Sequence, residues 1–451
     1  MAVNYQTSIQ ASNLKMLLDA SNPKSYKGKK SLITWTSWTL GSGGTSGYGQ
    51  NGSTVENERI SASDPWGNTS VVWETRPTGT TDADGGWNTD WFNIDRNKLY
   101  RYSVWVRRTS ASTGGTFYFG MYANGDGSRR TDNSSVEGNA YWDCRNISWM
   151  TQNQWYLVVG HVYPAGTTFT GQNAETGVYT TAGRFGNVNA CNIGADLKWS
   201  SNSTQGLHRT YHYYCPDSTS RLQFHQPRVD LIDGTQPTIQ DLLNNAESTW
   251  FDLSKNNKNV VWGGTNGVQY TASGAKSYFS TSGTRGIGPA SNSFGINNGT
   301  GYTIFMVSTT QTDNANSAFK FYDTSDNRGI FLHPGWTNYT MYFDQNTCCA
   351  ASQRTQYTFG VNDMRNFRVW TFRSRLYDRS IFMNGVIYTN NTTYAGNINL
   401  GSTAMDLGGS NEYGGASSNW NGQLAYFAVY NTGLDDSTIL SMSNALIGRF
   451  L

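Results

Sequence analysis

The sequence predicts an all-β protein built from antiparallel β-sandwich or jelly-roll domains, with a short helix at the C-terminus. Charged residues account for only 14% of the 451 residues, aromatic residues for another 14%, and glycine for 49 positions. This balance is typical of short strands with polar outer faces joined by tight turns. Several segments alternate apolar and polar side chains with a period of two, as half-buried strands do. The length suits two or three domains.

The first half of the chain predicts strands. Residues 1–11 are polar and unpatterned, and we expect them to form an N-terminal arm that docks to a neighbouring protein. "NLKMLLDA" (13–20) predicts the first strand, and "LITWTSWTL" (32–40) predicts a strand that opens a long aromatic β region. Further strands of this region are predicted at 69–75, 98–110, 115–123, 154–164 and 221–232. Regularly spaced strands without interposed helices favour a sandwich or jelly roll.

Two helices and a second β region are predicted after residue 236. "PTIQDLLNNAEST" (237–249) has a helical pattern that starts at Pro237 or Thr238. In the β region that follows, Asn384-Gly385 separates two apolar runs and predicts a tight hairpin. The C-terminal helix is expected to begin at Asp435, Asp436 or Ser437 and to be buried through Ile439, Leu440 and Leu446.

Charge, hydropathy and cysteine usage exclude several classes of protein. The net charge is +2 with no long basic run, so we expect no nucleic-acid partner. No stretch approaches about 18 consecutive apolar residues, so we expect no membrane insertion. The N-terminus lacks the pattern of a signal peptide. The odd, widely spaced cysteines predict bystander thiols in a reducing cytoplasm, with neither a disulfide framework nor a metal site: Cys144, Cys191, Cys215, Cys348 and Cys349.

Half of the chain carries a series of segments that resembles a known family. The segments are, in order, "LLDASNPKSY" (17–26), "TWFDLSKNNKNV" (249–260), "YTIFMVS" (302–308), "FRVWTFR" (367–373), "IFMNGVIY" (381–388) and the stretch 407–435. They are similar to the concanavalin A-like, laminin-G-like lectin sandwiches that are common in tailed-phage virion proteins. The resemblance implies one such sandwich formed by residues 12–30 and 249–451.

The first two of these segments are adjacent in the family pattern, yet more than two hundred residues separate them here. We interpret the separation as a domain insertion, which needs chain ends that lie close together, as the termini of a sandwich often do. The insert (32–246) resembles carbohydrate-binding-module, galactose-binding-like jelly rolls, and that likeness rests on "YRYSVWVRR", "WYLVVGHVYPAG" and "PRVDLIDGTQPTIQDLL".

The resemblance implies a structural protein of a tailed-phage virion, namely a tail fibre, tail-adhesion or capsid-decoration component that presents glycan-binding domains for host attachment. Its partners would be other virion proteins and host surface glycans, and its assembly a homo-oligomer such as a trimer. It would be made in the host cytoplasm and reside in the virion. The alternatives are a lectin or adhesin outside any virion and, less favoured, a polysaccharide-cleaving enzyme.

Aromatic side chains in loops are the candidate glycan platforms, because aromatic faces stack on the apolar C–H faces of sugars. Trp66, Trp87, Trp91 and Trp336 are flanked by glycine or asparagine, which indicates turns. The alternative is that these tryptophans plug the ends of the sandwiches or form contacts between subunits.

Acidic residues are candidates for a metal site or for catalysis. Glu56, Glu58, Asp230 and Asp233 lie towards the ends of the insert and are candidate ligands for a structural Ca²⁺, although ordinary turn and capping roles are the favoured interpretation. Laminarinase-like relatives of the concanavalin A fold carry E-x-D-x-E or E-x-D-x-x-E on one strand. Since the sequence has neither, we expect no catalytic residues and no enzyme.

Overall fold

The chain divides into two compact units, each with its own core. The computed structural model describes residues 11–451 except for 28–30, 36–37, 80–81, 135, 189–194, 246–247, 264–269, 272, 274–275, 283, 298, 314–315, 326–327, 347–349, 395 and 410–419. One unit, the split unit, comprises Met1–Lys29 with Glu247–Leu451, and the other, the inserted unit, comprises Lys30–Ala246.

The described elements are almost entirely strands, which confirms the all-β prediction. The split unit begins with β1 (Leu14–Asp19). The inserted unit contributes β2 (Gly41–Ser42), β3 (Tyr48–Gln50), β4 (Asn57–Ser63), β5 (Thr69–Thr75), β6 (Ala83–Thr89), β7 (Phe92–Asn93), β8 (Tyr100–Arg108), β9 (Thr116–Ala123), β10 (Ser128–Arg130), β11 (Val136–Glu137), β12 (Ala140–Asn146), β13 (Tyr156–Tyr163), β14 (Gly177–Thr180), β15 (Gly183–Gly186), β16 (Leu197–Trp199), β17 (Gln205–Tyr213), β18 (Leu222–Leu231) and helix α1 (Ile239–Leu243).

The split unit then resumes. Its strands are β19 (Thr249–Trp250), β20 (Val260–Gly263), β21 (Tyr270–Thr271), β22 (Tyr278–Ser280), β23 (Arg285–Ala290), β24 (Tyr302–Thr310), β25 (Phe319–Tyr322), β26 (Arg328–Trp336), β27 (Thr340–Gln345), β28 (Arg354–Thr358), β29 (Arg368–Arg375), β30 (Asp378–Met383), β31 (Val386–Asn391), β32 (Ala404–Leu407) and β33 (Gly422–Tyr430). Its helices are α2 (Val361–Arg365) and α3 (Asp436–Phe450).

Two sheets pack face to face in the split unit. One runs β21-β22-β33-β24-β29-β30-β31, and the other runs β19-β20-β23-β32-β25-β26-β27-β28. The apolar sequence of strand β24 is explained by burial on both of its faces. Ile304 and Met306 lie in the core between the sheets, whereas Phe305 and Val307 pack on the opposite side against α3. Both faces of this strand are therefore buried.

The two chain segments of the split unit are joined by backbone and side-chain hydrogen bonds. β1 pairs antiparallel with β33, and Leu18 lies opposite Phe427. The segment after the insert also bonds to β1, because the Leu17 N–H donates to Asp252 Oδ1 at 2.9 Å. Ser25 Oγ donates to the Phe251 carbonyl at 2.6 Å. "LLDASNPKSY" and "TWFDLS" therefore fold against each other.

The inserted unit also contains two sheets. The larger runs β11-β10-β16-β13-β8-β18-β5-β4-β2, with β14 and β15 attached to β13, and the smaller runs β12-β9-β17-β6-β3, with β7 attached to β17. Their inner faces enclose an aromatic core that includes Trp73, Trp87, Phe119, Trp142 and Phe224.

Local sequence patterns account for the turns and helix ends. Asn384 and Gly385 form the two-residue connection of β30 to β31 with φ values of 53° and 81°, a conformation that asparagine and glycine adopt most readily. Thr238 caps α1 by accepting from the Asp241 N–H, and Asp435 caps α3 by accepting from the Thr438 N–H at 2.7 Å. The predicted hairpin and the C-terminal helix are confirmed. The helix predicted within 237–249 is present but shorter, since it spans Ile239–Leu243 and Thr249 begins β19.

Two local predictions are wrong. No strand spans 32–40 among the described residues of that segment, because Trp35 and Trp38 fill the core of the inserted unit from an irregular segment. In α3, Leu440 is 44% exposed, and Met442 is buried instead with Ile439 and Leu446. The junction between the units at 28–30 and 246–247 lies outside the described residues.

An ion pair connects the first strand of the split unit to its last helix. Arg449 Nη2 lies 2.7 Å from Asp19 Oδ1, and Nη1 contacts Oδ2, so the contact is bidentate. The Asp19 side chain is 4% exposed and that of Arg449 12% exposed. Burial raises the pKa of Asp19, and the nearby guanidinium opposes that rise. The pair fixes α3 against β1 across 430 positions of sequence.

Replacing Arg449 with methionine should strongly destabilise the split unit. The substitution leaves the buried Asp19 carboxylate without its partner, which typically costs about 3 kcal/mol. The matched control is Arg368→Met, whose ion pair with Asp363 is more exposed and should cost less than about 1 kcal/mol. Urea unfolding of both variants gives the comparison, and equal losses would contradict a structural role for the Asp19–Arg449 pair.

Candidate functional site

The outer face of the smaller sheet of the inserted unit is unusually aromatic. Along β9, Phe117, Phe119 and Met121 point into the core and are fully buried, so the alternate residues Tyr118 and Tyr122 point outward. The same alternation on β6, β12 and β17 extends the outward set, which we call the tyrosine face: Asn88, Tyr118, Tyr122, Tyr141, Arg209, Tyr211 and Tyr213.

Strand register aligns these residues in rows across the sheet. One row joins five strands through Tyr141, Gly120, Arg209, Asn88 and Gly49. The adjacent row contains Tyr118, Tyr211 and Gly86. Outward residues of neighbouring rows are about 7 Å apart along a strand. The face is therefore a regular array of side chains set by β pairing.

Gly120 lets an aromatic ring lie flat on the sheet. A Cβ at this position would come within 2.5 Å of Tyr141 Cδ1 and 2.2 Å of the Ala140 carbonyl oxygen. Since real Cβ atoms do not approach so closely, only glycine allows the Tyr141 ring to cover this part of β9. The glycine thus shapes the surface beside Arg209.

The rings form a continuous surface. The ring centroids of Tyr118 and Tyr141 are 4.9 Å apart, those of Tyr118 and Tyr213 5.5 Å, and those of Tyr211 and Tyr213 5.6 Å. Tyr122 is 37% exposed, whereas Tyr211 forms part of the floor at 6%. Such a surface offers apolar ring faces together with hydroxyl groups.

Polar side chains are fixed among the rings. Tyr211 Oη contacts Asn88 Oδ1, and Tyr213 Oη lies 3.2 Å from Asn51 Oδ1. The guanidinium of Arg209 lies 5.2 Å from the centroid of Tyr122 and 5.0 Å from that of Tyr141. Cation–π contacts of this geometry hold the rings and the guanidinium in place.

The outer face of the larger sheet of the inserted unit is covered by a helix. Trp105 and Leu157 on that side are almost fully buried beneath Leu242 and Leu243 of α1. The helix thus converts one apolar outer face into a second, smaller core. The tyrosine face, by contrast, keeps exposed aromatic surface, which is the pattern of a binding surface.

The structure separates the four candidate tryptophans. Trp66 packs on Trp105 with centroids 5.4 Å apart, and its Nε1 donates to the Leu243 carbonyl at 2.7 Å. Trp87 lies in β6, not in a loop, and is fully buried, so it offers no face to a glycan. Trp336 ends β26 in the split unit and packs on His333. Only Trp91 adjoins the tyrosine face: it is 43% exposed and 5.6 Å from Tyr122.

The four candidate calcium ligands are already engaged by protein groups. Glu56 Oε2 accepts from the Ser53 N–H at 2.8 Å, and Glu58 pairs with Arg76. Asp233 Oδ1 accepts from the Thr235 N–H at 2.9 Å.

Asp230, the fourth, is fully buried between two arginines, at 3.0 Å from Arg101 Nη2 and 2.6 Å from Arg228 Nη2. Among the described residues, no group of three or more His, Cys, Asp or Glu is arranged to hold a metal ion. The contacts of these four acids are those of turn, capping and ion-pair residues.

Elsewhere in the inserted unit, two buried titratable side chains are linked through the hydroxyl group of a threonine. His161 Nδ1 is 2.7 Å from Thr176 Oγ1, which donates to Asp196 Oδ1 at 3.0 Å. Burial raises the pKa of Asp196 to about 7 and lowers that of His161 to about 3. Perturbed pKa values often mark active sites, but all three residues are at most 1% exposed. No substrate can reach them, so the shifts concern stability.

One cysteine differs from the sequence expectation. Cys144 on β12 is disulfide-bonded, whereas Cys215 is a free, buried thiol. This corrects the expectation that the cysteines are unpaired thiols. Disulfides are typical of oxidising surroundings, including virion surfaces.

Sequence reasoning missed most of the tyrosine face. The predicted glycan platforms were tryptophans in loops, whereas the partly exposed rings are tyrosines on strands. The detectable pattern was "TFYFGMY" followed by "RTYHY", where both alternating faces of a strand carry large side chains. A sandwich buries one face of a strand between its sheets. The outward aromatic face of β9 and β17 is then available to a covering element or a ligand.

Comparison with known proteins leaves the family open. No protein-family model and no curated protein matches this chain. Among solved structures, it is similar to a botulinum neurotoxin serotype D/C binding domain (15% identity, 43% of this chain, 49% of that chain, TM-score 0.35). It is also similar to a botulinum neurotoxin serotype C1 binding domain (15% identity, 43% of this chain, 49% of that chain, TM-score 0.34). These matches span about half of the other chains, and such low scores carry no argument about function.

The contribution of Asp196 to the unfolding free energy should decrease as pH rises. The folded protein retains a proton on Asp196 that the unfolded chain releases, so this contribution is fully present below about pH 4 and is lost by about pH 7, a decrease of about 4 kcal/mol. Asp196→Asn should remove this component, whereas Asp126→Asn at an exposed position should retain it. Urea unfolding at several pH values measures the effect, and parallel profiles for wild type and Asp196→Asn would contradict it.

Proposed function

We propose that this chain is a glycan-binding structural protein of a tailed-phage virion, and that the tyrosine face of the inserted unit contacts the glycan during host attachment. The observation that carries the glycan proposal is the partly exposed array of tyrosine rings interleaved with Arg209 and Asn88. Ring faces stack on sugar C–H groups, while amide, guanidinium and hydroxyl groups exchange hydrogen bonds with sugar hydroxyls.

The virion part of the proposal rests on the resemblance in sequence. The segments that carry it lie on both sides of the insert, and they fold together within the split unit through β1, β33 and the contacts of Asp252. The disulfide of Cys144 suits a protein that acts outside the cytoplasm. Among the described residues, no helix is long and apolar enough to cross a membrane.

Removing a ring from the tyrosine face should weaken glycan binding. Tyr118→Ala and Tyr141→Ala should each reduce the affinity for the best ligand from an array of bacterial and animal oligosaccharides by about tenfold, equivalent to about 1.4 kcal/mol. The control is Tyr377→Ala, which removes a 58% exposed ring from the split unit. Titration calorimetry measures the affinities. Absence of any glycan ligand, or equal losses in all three variants, would contradict the proposal, and release of reducing ends would favour an enzyme.

A virion protein should be present in purified particles at a fixed copy number. We expect quantitative mass spectrometry of gradient-purified phage particles to show a constant ratio of this chain to the major capsid protein. Immunogold labelling should then locate it on the tail or the capsid surface. Recovery of the chain only from the soluble fraction of the lysate would favour a free lectin or adhesin.

A further inference from the structure

Arg209 occupies the middle of the tyrosine face. It lies on the central strand β17, with Gly120 of β9 on one side in register and Asn88 of β6 on the other. Its guanidinium lies between the rings of Tyr122 and Tyr141. Any sugar that stacks on these rings therefore comes close to a positive charge.

Among the side chains that the structure describes, Arg209 has only neutral hydrogen-bond partners. Nε and Nη2 donate to the Met121 carbonyl at 3.0 and 2.8 Å, and Nη1 donates to Asn139 Oδ1 at 3.0 Å. None of the described carboxylates, a set that leaves out the side chain of Glu137, forms an ion pair with Arg209. Some arginines of this unit have carboxylate partners, since Arg145 pairs with Asp143 and Arg228 with Asp230. Arg59 and Arg108 resemble Arg209 in donating to neutral groups, but only Arg209 lies among the rings of the tyrosine face.

A partly buried guanidinium without a counter-ion favours an anionic ligand. Arg209 is only 7% exposed, so water screens its charge less than it would at an open surface. Asn139 is exposed, and a ligand carboxylate can replace its amide oxygen at Nη1. Hydrogen bonds between arginine and a carboxylate are about twice as strong as neutral ones.

We propose that the tyrosine face binds an acidic saccharide, whose uronic or sialic acid carboxylate pairs with Arg209 while the neighbouring rings stack on the sugar. This inference rests on the proposed glycan-binding function and adds the chemical class of the ligand. The rings supply stacking that is shared with neutral sugars, and the guanidinium supplies the preference for an acid.

The experiment compares each acidic probe with its own carboxyl-reduced form, using the full chain. One arm uses an oligogalacturonate and the other uses sialyllactose, so that the two sources of carboxylate are distinguished. We expect at least one acidic probe to bind about tenfold more tightly than its reduced form in about 50 mM NaCl, and the ratio to decrease in about 500 mM NaCl.

Variants then assign the preference to Arg209. Arg209→Gln should reduce the ratio to within about twofold, and Arg209→Lys should retain part of it because the charge remains. Arg129→Gln removes an exposed positive charge from β10 and should leave the ratio unchanged. Melting temperatures show whether each variant is folded.

The outcomes separate this inference from the proposed function. If acidic and reduced probes bind wild-type protein equally well, or if Arg209→Gln keeps the full ratio, the acidic preference is wrong while glycan binding stands. If no probe of either kind binds, and the oligosaccharide array gives no ligand, both the preference and the glycan-binding function are wrong.

Discussion

Strands of a sandwich bury one face between the sheets. The two units of this protein differ from sheet to sheet in whether the opposite, outer face is covered by a helix or left partly exposed. In the split unit, α3 packs on the outer side of the sheet that contains β24 and β33. In the inserted unit, α1 packs on the outer side of the larger sheet. The smaller sheet presents aromatic side chains outward yet leaves them partly exposed. That surface is the candidate binding surface of the inserted unit.

The split unit explains how so long an insert is tolerated. Its first strand is held by β33 on one side, by the hydrogen bonds of Asp252 and Ser25 at its end, and by the Asp19–Arg449 pair on α3. All these contacts form within the split unit, so its core does not need the inserted residues. A compact insert with its own core adds length to a surface connection at small entropic cost.

Much of the fold could be predicted from the sequence, because strand alternation, the Asn384-Gly385 turn and the caps at Thr238 and Asp435 are local features. Burial of particular side chains was harder to predict. Trp87 has turn-like neighbours but lies within β6, where pairing with β3 and β17 buries it. Asp230 resembled a metal ligand, and its arginine partner Arg101 lies 129 positions away. Such distant contacts are not visible in a local pattern.

The most direct test of the central claim is the structure of the full chain with a bound oligosaccharide. We predict that the sugar lies over Tyr118 and Tyr141, with its acidic group at Arg209. A sugar bound to the split unit, or to the inserted unit away from the tyrosine face, would contradict the account.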